Sequence, residues 1–201
     1  MPRSDVLSLA RDLAWFGGRL RPTQSTEEIL WLLEIVEEVQ PSVIVEIGTD
    51  EGGTLFLWTW VAAPDATLVA VDMRPLGLLG RFSAYALVRR GLARARQRIE
   101  LVMPADSQSP GTRERVTKLL GDRPVDFLFI DGDHGYDGVR RDFELWSPLV
   151  RSGGLIAFHD IEPDQPHGVP QLWSELRQRF ATEERIAANR PRYGIGVLRV
   201  P

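Results

Sequence analysis

Cysteine is absent from this sequence of 201 residues, which excludes disulfides, thiolate metal sites and a cysteine nucleophile. The absence is typical of a protein from a reducing cytoplasm. Lysine is almost absent as well, because Lys118 is the only lysine among the 24 basic residues. Arginine stays protonated and cannot serve as an ordinary general base. Proton transfer must therefore depend on a carboxylate, a tyrosine or one of the three histidines, His134, His159 and His167.

Long apolar runs are also missing, since none reaches the roughly 18 residues that a membrane-spanning helix needs. Asp5, Arg11 and Asp12 interrupt the hydrophobic stretch that a secretory signal would require. The formal charge of −4 gives no field that attracts nucleic acid, so the arginine-rich stretch 89–98 fits a solvated helix face better than an RNA-binding helix. We therefore expect a cytoplasmic protein with a small-molecule partner and no membrane or nucleic-acid partner. Five aromatic residues are candidates for core or subunit contacts: Trp15, Phe16, Trp31, Trp58 and Trp60. We expect a homo-oligomer, with a dimer favoured.

Strand-like and helix-like stretches alternate along the chain. Apolar residues recur at helical spacing over 26–39, with Thr26 as the expected cap. Further helices are predicted over 53–62, 80–97, 111–120, 136–147 and 170–180, and strands over 43–47, 67–72, 99–103, 125–131, 153–159, 184–188 and 195–200. The alternation predicts an α/β domain over 26–201, with a Rossmann-like, seven-stranded, mainly parallel sheet and helices on both faces. Residues 1–25 are predicted to form a helical segment that is a candidate lid.

Polar residues collect where the predicted strands end, and a parallel sheet binds ligands at the carboxyl ends of its strands. The first strand contains Glu46 and continues into the glycine-rich stretch 48–54, whose spacing is not G-x-G-x-x-G. Asp50 and Glu51 lie where a pyrophosphate would bind, so the loop disfavours a dinucleotide and tolerates a cationic ligand. A plain turn between strand and helix is the alternative interpretation.

The second and third strands also end in acids. Asp72 ends the second strand, and its two carboxylate oxygens match the vicinal diol of a ribose. Asp106 follows the third strand and could accept a hydrogen bond from an adenine amine. The alternatives are a solvated aspartate at position 72 and a turn or helix cap formed by Asp106 and Ser107.

Asp131 ends the fourth strand and Asp160 ends the fifth, so adjacent parallel strands would bring the two carboxylates together. Two carboxylates at the end of an apolar sheet repel one another unless a cation lies between them. Hard oxygen ligands without cysteine suit Mg²⁺, Mn²⁺ or Ca²⁺ better than zinc. The sequence therefore predicts a divalent metal site here. Helix capping or pairing with nearby arginines is the alternative role of these acids.

Two stretches together resemble the motifs of class I S-adenosylmethionine-dependent methyltransferases. VEIGTDEGGT resembles the first motif EIGT-x-x-GG-[ST] of one branch, and FLFIDGDHGYDGVRRDFELWSPLVRSGGLIAFHD resembles its IDGDH-x-Y-x-x-V-x-x-D…L-x-x-GG-x-I-x-x-HD signature. That branch includes cephalosporin hydroxylase-like methyltransferases of bacteria and metal-dependent O-methyltransferases of secondary metabolism. The resemblance covers about residues 24–200 and implies a seven-stranded methyltransferase fold.

The resemblance also implies roles for particular residues. S-adenosylmethionine would contact Glu46, Gly48, Thr49, Gly52, Asp72 and Asp131, with Asp106 and Ser107 near its adenine. Metal ligands would lie at Asp131, Asp160 and Ile161, but an isoleucine side chain cannot bind a metal, so Asp133, Glu162 or water would complete the site. His134 stands where relatives carry a lysine base, which makes it the predicted catalytic base, with His159 as the second candidate.

These features predict an O-methyltransferase that uses S-adenosylmethionine and Mg²⁺ to modify a diol, catechol or sugar hydroxyl of a small metabolite. The acceptor pocket is expected to come from 1–25 and 161–170. Three alternatives stay open. They are a nucleotide-dependent oxidoreductase, a non-catalytic S-adenosylmethionine-binding protein, and a metal-independent methyltransferase that uses His134 alone.

Overall fold

The computed structural model describes residues 2–12, 22–73, 93–94, 96–121, 123–189 and 192–201. Seven strands of these residues form one sheet: β1 (Val43–Ile47), β2 (Thr67–Val71), β3 (Arg98–Val102), β4 (Val125–Ile130), β5 (Val150–His159), β6 (Ala181–Arg185) and β7 (Ile195–Arg199). Their order is β3-β2-β1-β4-β5-β7-β6. Neighbours from β3 to β5 are parallel, whereas β7 is antiparallel to both β5 and β6. The predicted α/β fold with a mainly parallel sheet is confirmed.

Helices pack on both faces of this sheet. They are α1 (Arg3–Asp12), α2 (Thr26–Val39), α3 (Gly53–Val61), α4 (Pro110–Leu120), α5 (Tyr136–Trp146) and α6 (Val169–Leu176). Alternate strand residues divide the core, since Phe127 and Phe129 of β4 pack with α1, α2 and α3, while Leu128 and Ile130 pack with α4, α5 and α6. None of the helices in the described ranges is long and apolar enough to cross a membrane.

Three local predictions need correction or fall outside the described residues. Ser25 caps α2 in place of Thr26, because the Ser25 hydroxyl accepts the backbone N–H of Glu28 at 3.3 Å. β6 begins at Ala181 rather than 184, because pairing with β7 defines this largely exposed, polar strand and no apolar run marks it. Of the helix predicted over 80–97, residues 80–92 and 95 lie outside the described residues, and 93, 94, 96 and 97 are not helical.

The N-terminal part of the chain is tied to its C-terminal part through Glu28. This completely buried side chain of α2 uses Oε1 to accept the backbone N–H groups of Ala187, Tyr193 and Gly194 at 2.9, 3.2 and 3.0 Å. The contact fixes the start of α2 beside the loop that precedes β7, and so places residues 22–25 at the carboxyl edge of the sheet. The lid proposed for 1–25 stays a prediction, and 13–21 lie outside the described residues.

Candidate active site

A cavity of about 730 Å³ lies at the carboxyl ends of β1, β2, β4 and β5. Its polar lining includes five aspartates, Asp50, Asp72, Asp131, Asp133 and Asp160, together with His134, His159 and His167. Thr23 and His167 come from the two ranges expected to build the acceptor pocket. The volume falls within the 300–1,000 Å³ that small-molecule sites usually occupy. The cavity is therefore the candidate active site.

The glycine-rich loop begins with a close approach between two backbone segments. Gly48 has φ +81°, and a Cβ atom on it would lie 2.1 Å from the carbonyl oxygen of Asp131. Glycine is needed here because the chain itself fills the space, while the backbone of Gly48 borders the cavity. Gly52, at φ +83°, is the buried N-cap of α3 and does not line the cavity.

Asp72 holds the same loop from the neighbouring strand. Its Oδ2 atom accepts the backbone N–H groups of Thr49 at 3.1 Å and Asp50 at 2.9 Å. Asp72 and Asp50 line the cavity, whereas the Thr49 side chain is buried outside the lining. Asp72, the residue predicted to bind the ribose, therefore also positions the backbone of this loop beside the cavity.

Glu46 lies behind the cavity rather than in its wall. Its side chain is completely buried, and Oε1 accepts the indole N–H of Trp58 at 2.7 Å. Burial raises the pKa of the Glu46 carboxyl to about 7, and the hydrogen bond from Trp58 offsets this effect only in part. Strand alternation explains the orientation, because Val45 and Ile47 face the other side of the sheet. Contact between Glu46 and a cofactor stays a prediction, and in this arrangement Glu46 supports the loop from behind.

Residues of the loop after β3 form another part of the cavity wall. Ser107 and Gln108 line the cavity, whereas Asp106 is exposed, lies outside the lining and accepts the backbone N–H of Gln108 at 2.8 Å. Asp106 therefore caps this turn, which is the alternative role that the sequence allowed for it. Gln108, which the sequence did not single out, donates through Nε2 to Asp133 Oδ2 at 3.0 Å.

The carboxylates of Asp131 and Asp160 converge as predicted, because β4 and β5 are parallel neighbours. Between them lies Nδ1 of His159, 3.1 Å from Asp131 Oδ1 and 3.5 Å from Asp160 Oδ1. Burial acts to lower the pKa of His159, but the two carboxylates outweigh it and raise the pKa to about 10. The histidine in turn outweighs the effect of burial on Asp160 and lowers the pKa of that carboxyl. The arrangement of the two acids thus favours the protonated form of His159.

The other oxygen of Asp131 is also engaged. Gln24, from the segment that precedes α2, donates through Nε2 to Asp131 Oδ2 at 2.8 Å. This contact could not be predicted from the sequence, because 107 positions separate the two residues. Tyr193 is a further unexpected residue of the lining, and its ring lies 5.4 Å from the ring of His159.

The candidates for a third oxygen ligand have other partners. Asp133 accepts the backbone N–H of Gly135 at 2.8 Å as well as the amide of Gln108. Glu162 pairs with Arg192 at 2.9 Å and accepts the backbone N–H of Asp164 at 3.2 Å. The side chains that contact the two aspartates are the imidazoles of His134 and His159 and the amide of Gln24. Mg²⁺ at Asp131 and Asp160 stays a prediction that these donors do not favour.

His134 reaches the open part of the cavity. Its Nε2 atom lies 3.4 Å from Asp160 Oδ2 and 3.9 Å from Asp131 Oδ1. The His134 side chain is 44% exposed, whereas that of His159 is only 6% exposed. A bound molecule can therefore contact His134 directly, while His159 is enclosed by the two carboxylates and Tyr193. The choice of His134 as catalytic base stays a prediction with accessibility in its favour.

Comparison with known proteins gives a family match over the centre of the chain. The family model described as "Methyltransferase domain" matches residues 45–161, from within β1 to just beyond the end of β5. Rhamnosyl O-methyltransferase of Mycobacterium tuberculosis is 28% identical over 159 residues, covering 73% of this chain and 60% of that protein. Protein y4gI of Sinorhizobium fredii is 32% identical over 177 residues, covering 84% of this chain but 18% of that protein. The chain thus spans three fifths or less of these two relatives.

Solved structures resemble the whole chain. An O-methyltransferase from Bacillus cereus in complex with SAH has a TM-score of 0.67 at 15% identity, and the match covers 100% of this chain and 93% of that one. The O-methyltransferase TomG from Streptomyces achromogenes, in complex with SAM, has a TM-score of 0.65 at 18% identity, covering 98% and 89%. At these identities the similarity shows the fold.

Proposed function

Because the chain belongs to the methyltransferase domain family, we propose that it transfers the methyl group of S-adenosylmethionine to a hydroxyl of a small metabolite. The observation that carries this proposal is the cavity itself, which holds the accessible imidazole of His134 and the carboxylate of Asp72. Family membership removes the basis of the oxidoreductase alternative. A non-catalytic S-adenosylmethionine-binding protein remains the second candidate.

The Asp72 side of the cavity suits the methyl donor. S-adenosylmethionine supplies an electrophilic methyl group on a positively charged sulfur and has no phosphate. A lining with five aspartates attracts such a cation and repels a phosphorylated cofactor. Asp72 would accept the ribose hydroxyls, and Ser107 with Gln108 would border the adenine. Gly48 would contribute backbone to the same surface.

The Asp160 side suits the acceptor. Contact with Asp160 Oδ2 favours the proton of a neutral His134 on Nε2, which leaves Nδ1 to accept the hydroxyl proton of the acceptor. The carboxylate of Asp160 then stabilises the imidazolium that forms. The oxygen becomes a better nucleophile, and its position near the methyl donor provides the remaining acceleration. A sugar hydroxyl is the first acceptor to test, because the mycobacterial relatives are named rhamnosyl O-methyltransferases.

The predicted metal enters this proposal only as a test. Mg²⁺, or Mn²⁺ or Ca²⁺, at Asp131 and Asp160 would help to ionise a bound hydroxyl. His159 and Gln24 already engage the oxygens of Asp131, so the proposed proton transfer uses the residues of the chain alone. A dimer and a cytoplasmic location also stay predictions.

The test is methyl transfer from labelled S-adenosylmethionine to a panel of deoxysugars and catechols, in chelator and in Mg²⁺. We expect equal rates in the two conditions. His134→Ala should lower turnover roughly 10²–10⁴-fold, which is the usual share of general-base catalysis, with cofactor affinity nearly unchanged. A rate that needs Mg²⁺, or an unimpaired His134→Ala variant, would show that the proposed base is wrong. Cofactor binding with no transfer to any acceptor would favour the non-catalytic alternative.

A further inference from the structure

We propose that His134, Asp160 and His167 form a binding site for a divalent transition-metal ion of the zinc and cobalt type. One ligand atom from each residue lies within 4.8 Å of the other two. All three residues line the cavity, so an ion held by them would keep a coordination position open to a bound molecule. This inference goes beyond the proposed function and concerns a separate state of the cavity, because an ion bound to Nε2 of His134 replaces the proton that the proposed general base carries there. The site can be examined without cofactor or acceptor.

The distances suit ligands of one ion. A tetrahedral ion with bonds of about 2.0 Å separates its ligand atoms by roughly 3.3 Å, and His134 Nε2 lies 3.4 Å from Asp160 Oδ2. The rings of His134 and His167 are 5.0 Å apart at 64°. His167 is exposed, so its ring can turn toward the other two ligands. Asp160 is buried and provides the fixed member of the group.

A backbone hydrogen bond holds the two loops that carry His134 and His167 close together. The N–H of Gly168 donates to the carbonyl oxygen of His134 at 2.8 Å, which joins the loop after β4 to the loop before α6. A Cβ atom on Gly168 would lie 2.0 Å from the backbone nitrogen of Tyr136, so only glycine permits this contact. His167 is held beside His134 by a specific packing of main chain.

Asp160 is also held in an unusual conformation. Its φ of +63° lies in the left-handed region, which costs energy for a residue with a Cβ atom, although aspartate tolerates it better than most. Such conformations persist where the surrounding structure holds them and concentrate at functional sites. In this conformation the two oxygens of Asp160 face different histidines, Oδ1 toward His159 and Oδ2 toward His134.

The donor set decides the class of ion. Two imidazoles and one carboxylate suit zinc, cobalt and similar ions, whereas Mg²⁺ prefers oxygen ligands and retains water. The deeper group of Asp131, His159 and Asp160 differs, because His159 and Gln24 already engage both oxygens of Asp131. The outer group is therefore the place where an ion can enter without displacing these hydrogen bonds.

Direct metal binding tests the inference. Protein without a histidine tag is treated with chelator, dialysed and titrated with Co²⁺, whose visible absorption reports ligands and geometry, and with Zn²⁺ in a calorimeter. We expect one ion per chain and no displacement of Co²⁺ by a hundredfold excess of Mg²⁺. His167→Ala should weaken Co²⁺ binding at least tenfold. Asp131→Asn, the discriminating control, should stay within about threefold of the unmodified protein.

Several results would overturn the inference: no Co²⁺ binding, equal binding by His167→Ala, or ready displacement by Mg²⁺. Loss of binding in Asp131→Asn, with an unchanged circular dichroism spectrum, would assign the ion to the deeper group instead. If Asp131→Asn does not fold, Asp133→Asn replaces it, because that exposed acid lines the same cavity outside the proposed site. Methyl transfer measured in chelator reports on the proposed function separately, so either idea can fail alone.

Discussion

At the scale of single residues, Asp72 both holds the loop after β1 and borders the cavity. An asparagine there keeps an oxygen for the two loop amides but loses the charge offered to the ribose. We expect Asp72→Asn to retain near-normal stability and to weaken S-adenosylmethionine binding by about 1–3 kcal/mol, the range for charge-assisted hydrogen bonds. Asp72→Ala should lose both stability and affinity. Calorimetry and urea unfolding measure the two effects, and unchanged affinity in Asp72→Asn would contradict the ribose assignment.

Glu46 gives a prediction about pH. Burial raises the pKa of its carboxyl from 4.5 to about 7, so the folded protein binds this proton more tightly than the unfolded chain. The stabilising contribution is complete below pH 4.5 and is lost as the pH rises through 7. Compared with Glu46→Gln, which does not titrate, the unmodified protein should lose roughly 2–3 kcal/mol of unfolding free energy across this interval. Urea unfolding of both proteins from pH 4 to 8 measures the difference, and a constant difference would refute the prediction.

The acids at strand ends could be predicted from the sequence, but their partners could not. Asp72, Asp131 and Asp160 follow recognisable strands. The sequence pattern alone was therefore sufficient to predict that they lie at the same edge of the sheet. The raised pKa of His159 depends on the carboxylate of Asp131, 28 positions away, and on contact with Asp160 that only the assembled sheet provides. Two converging carboxylates favour a positive charge near them; His159 lies between them, and the metal predicted at Asp131 and Asp160 stays a prediction.

At the scale of elements, two glycines with positive φ differ in the space around them. Replacing each by alanine therefore distinguishes the cost of a steric clash from the cost of the left-handed backbone conformation. A Cβ atom on Gly48 meets the Asp131 carbonyl oxygen at 2.1 Å, whereas one on Gly121, the C-cap of α4 at φ +60°, meets nothing within 4 Å. Gly121→Ala should therefore cost only about 1–2 kcal/mol, the backbone preference alone. Gly48→Ala should cost more than this or prevent folding, because main chain must move. Denaturant midpoints compare the two, and equal costs would contradict the close approach.

Element positions were predictable wherever burial imposes a pattern. β1 and α2 match their predicted spans because the apolar spacing of 43–47 and 26–39 is regular. β6 begins three residues before its predicted start, because its sequence ATEER is largely exposed and only pairing with β7 makes it a strand. Edge elements of this kind are defined by tertiary contacts and leave little trace in hydrophobic periodicity.

At the scale of the whole molecule, the order of strands explains the position of the cavity. The chain forms β1, β2 and β3 toward one edge, then returns to place β4 beside β1 and continue toward the other edge. The crevice between these halves is where open α/β sheets bind ligands. Motifs at the ends of β1, β2, β4 and β5 therefore meet in one place although they are far apart in sequence.

Glu28 holds this arrangement together across the length of the chain. Glu28→Ala would leave three backbone N–H groups without their carboxylate, so we expect the free energy of unfolding to fall by about 2–4 kcal/mol. Glu27→Ala is the matched control, because its exposed carboxylate accepts one backbone N–H at 3.2 Å and pairs with Arg185. That change should cost less than about 1 kcal/mol. Equal losses in the two variants would show that the buried contact is not a major support.

The same contact constrains how the protein can be made. During translation α2 leaves the ribosome early, but the amide groups that Glu28 needs lie 159 to 166 positions further along the chain. β7, which inserts between β5 and β6, emerges later still. Until these residues are in place, the Glu28 carboxylate lacks the three amide donors that satisfy it in the folded chain, and its burial would be unfavourable. The buried contact of α2 is therefore completed only after the segment that contains Ala187, Tyr193 and Gly194 has been synthesised.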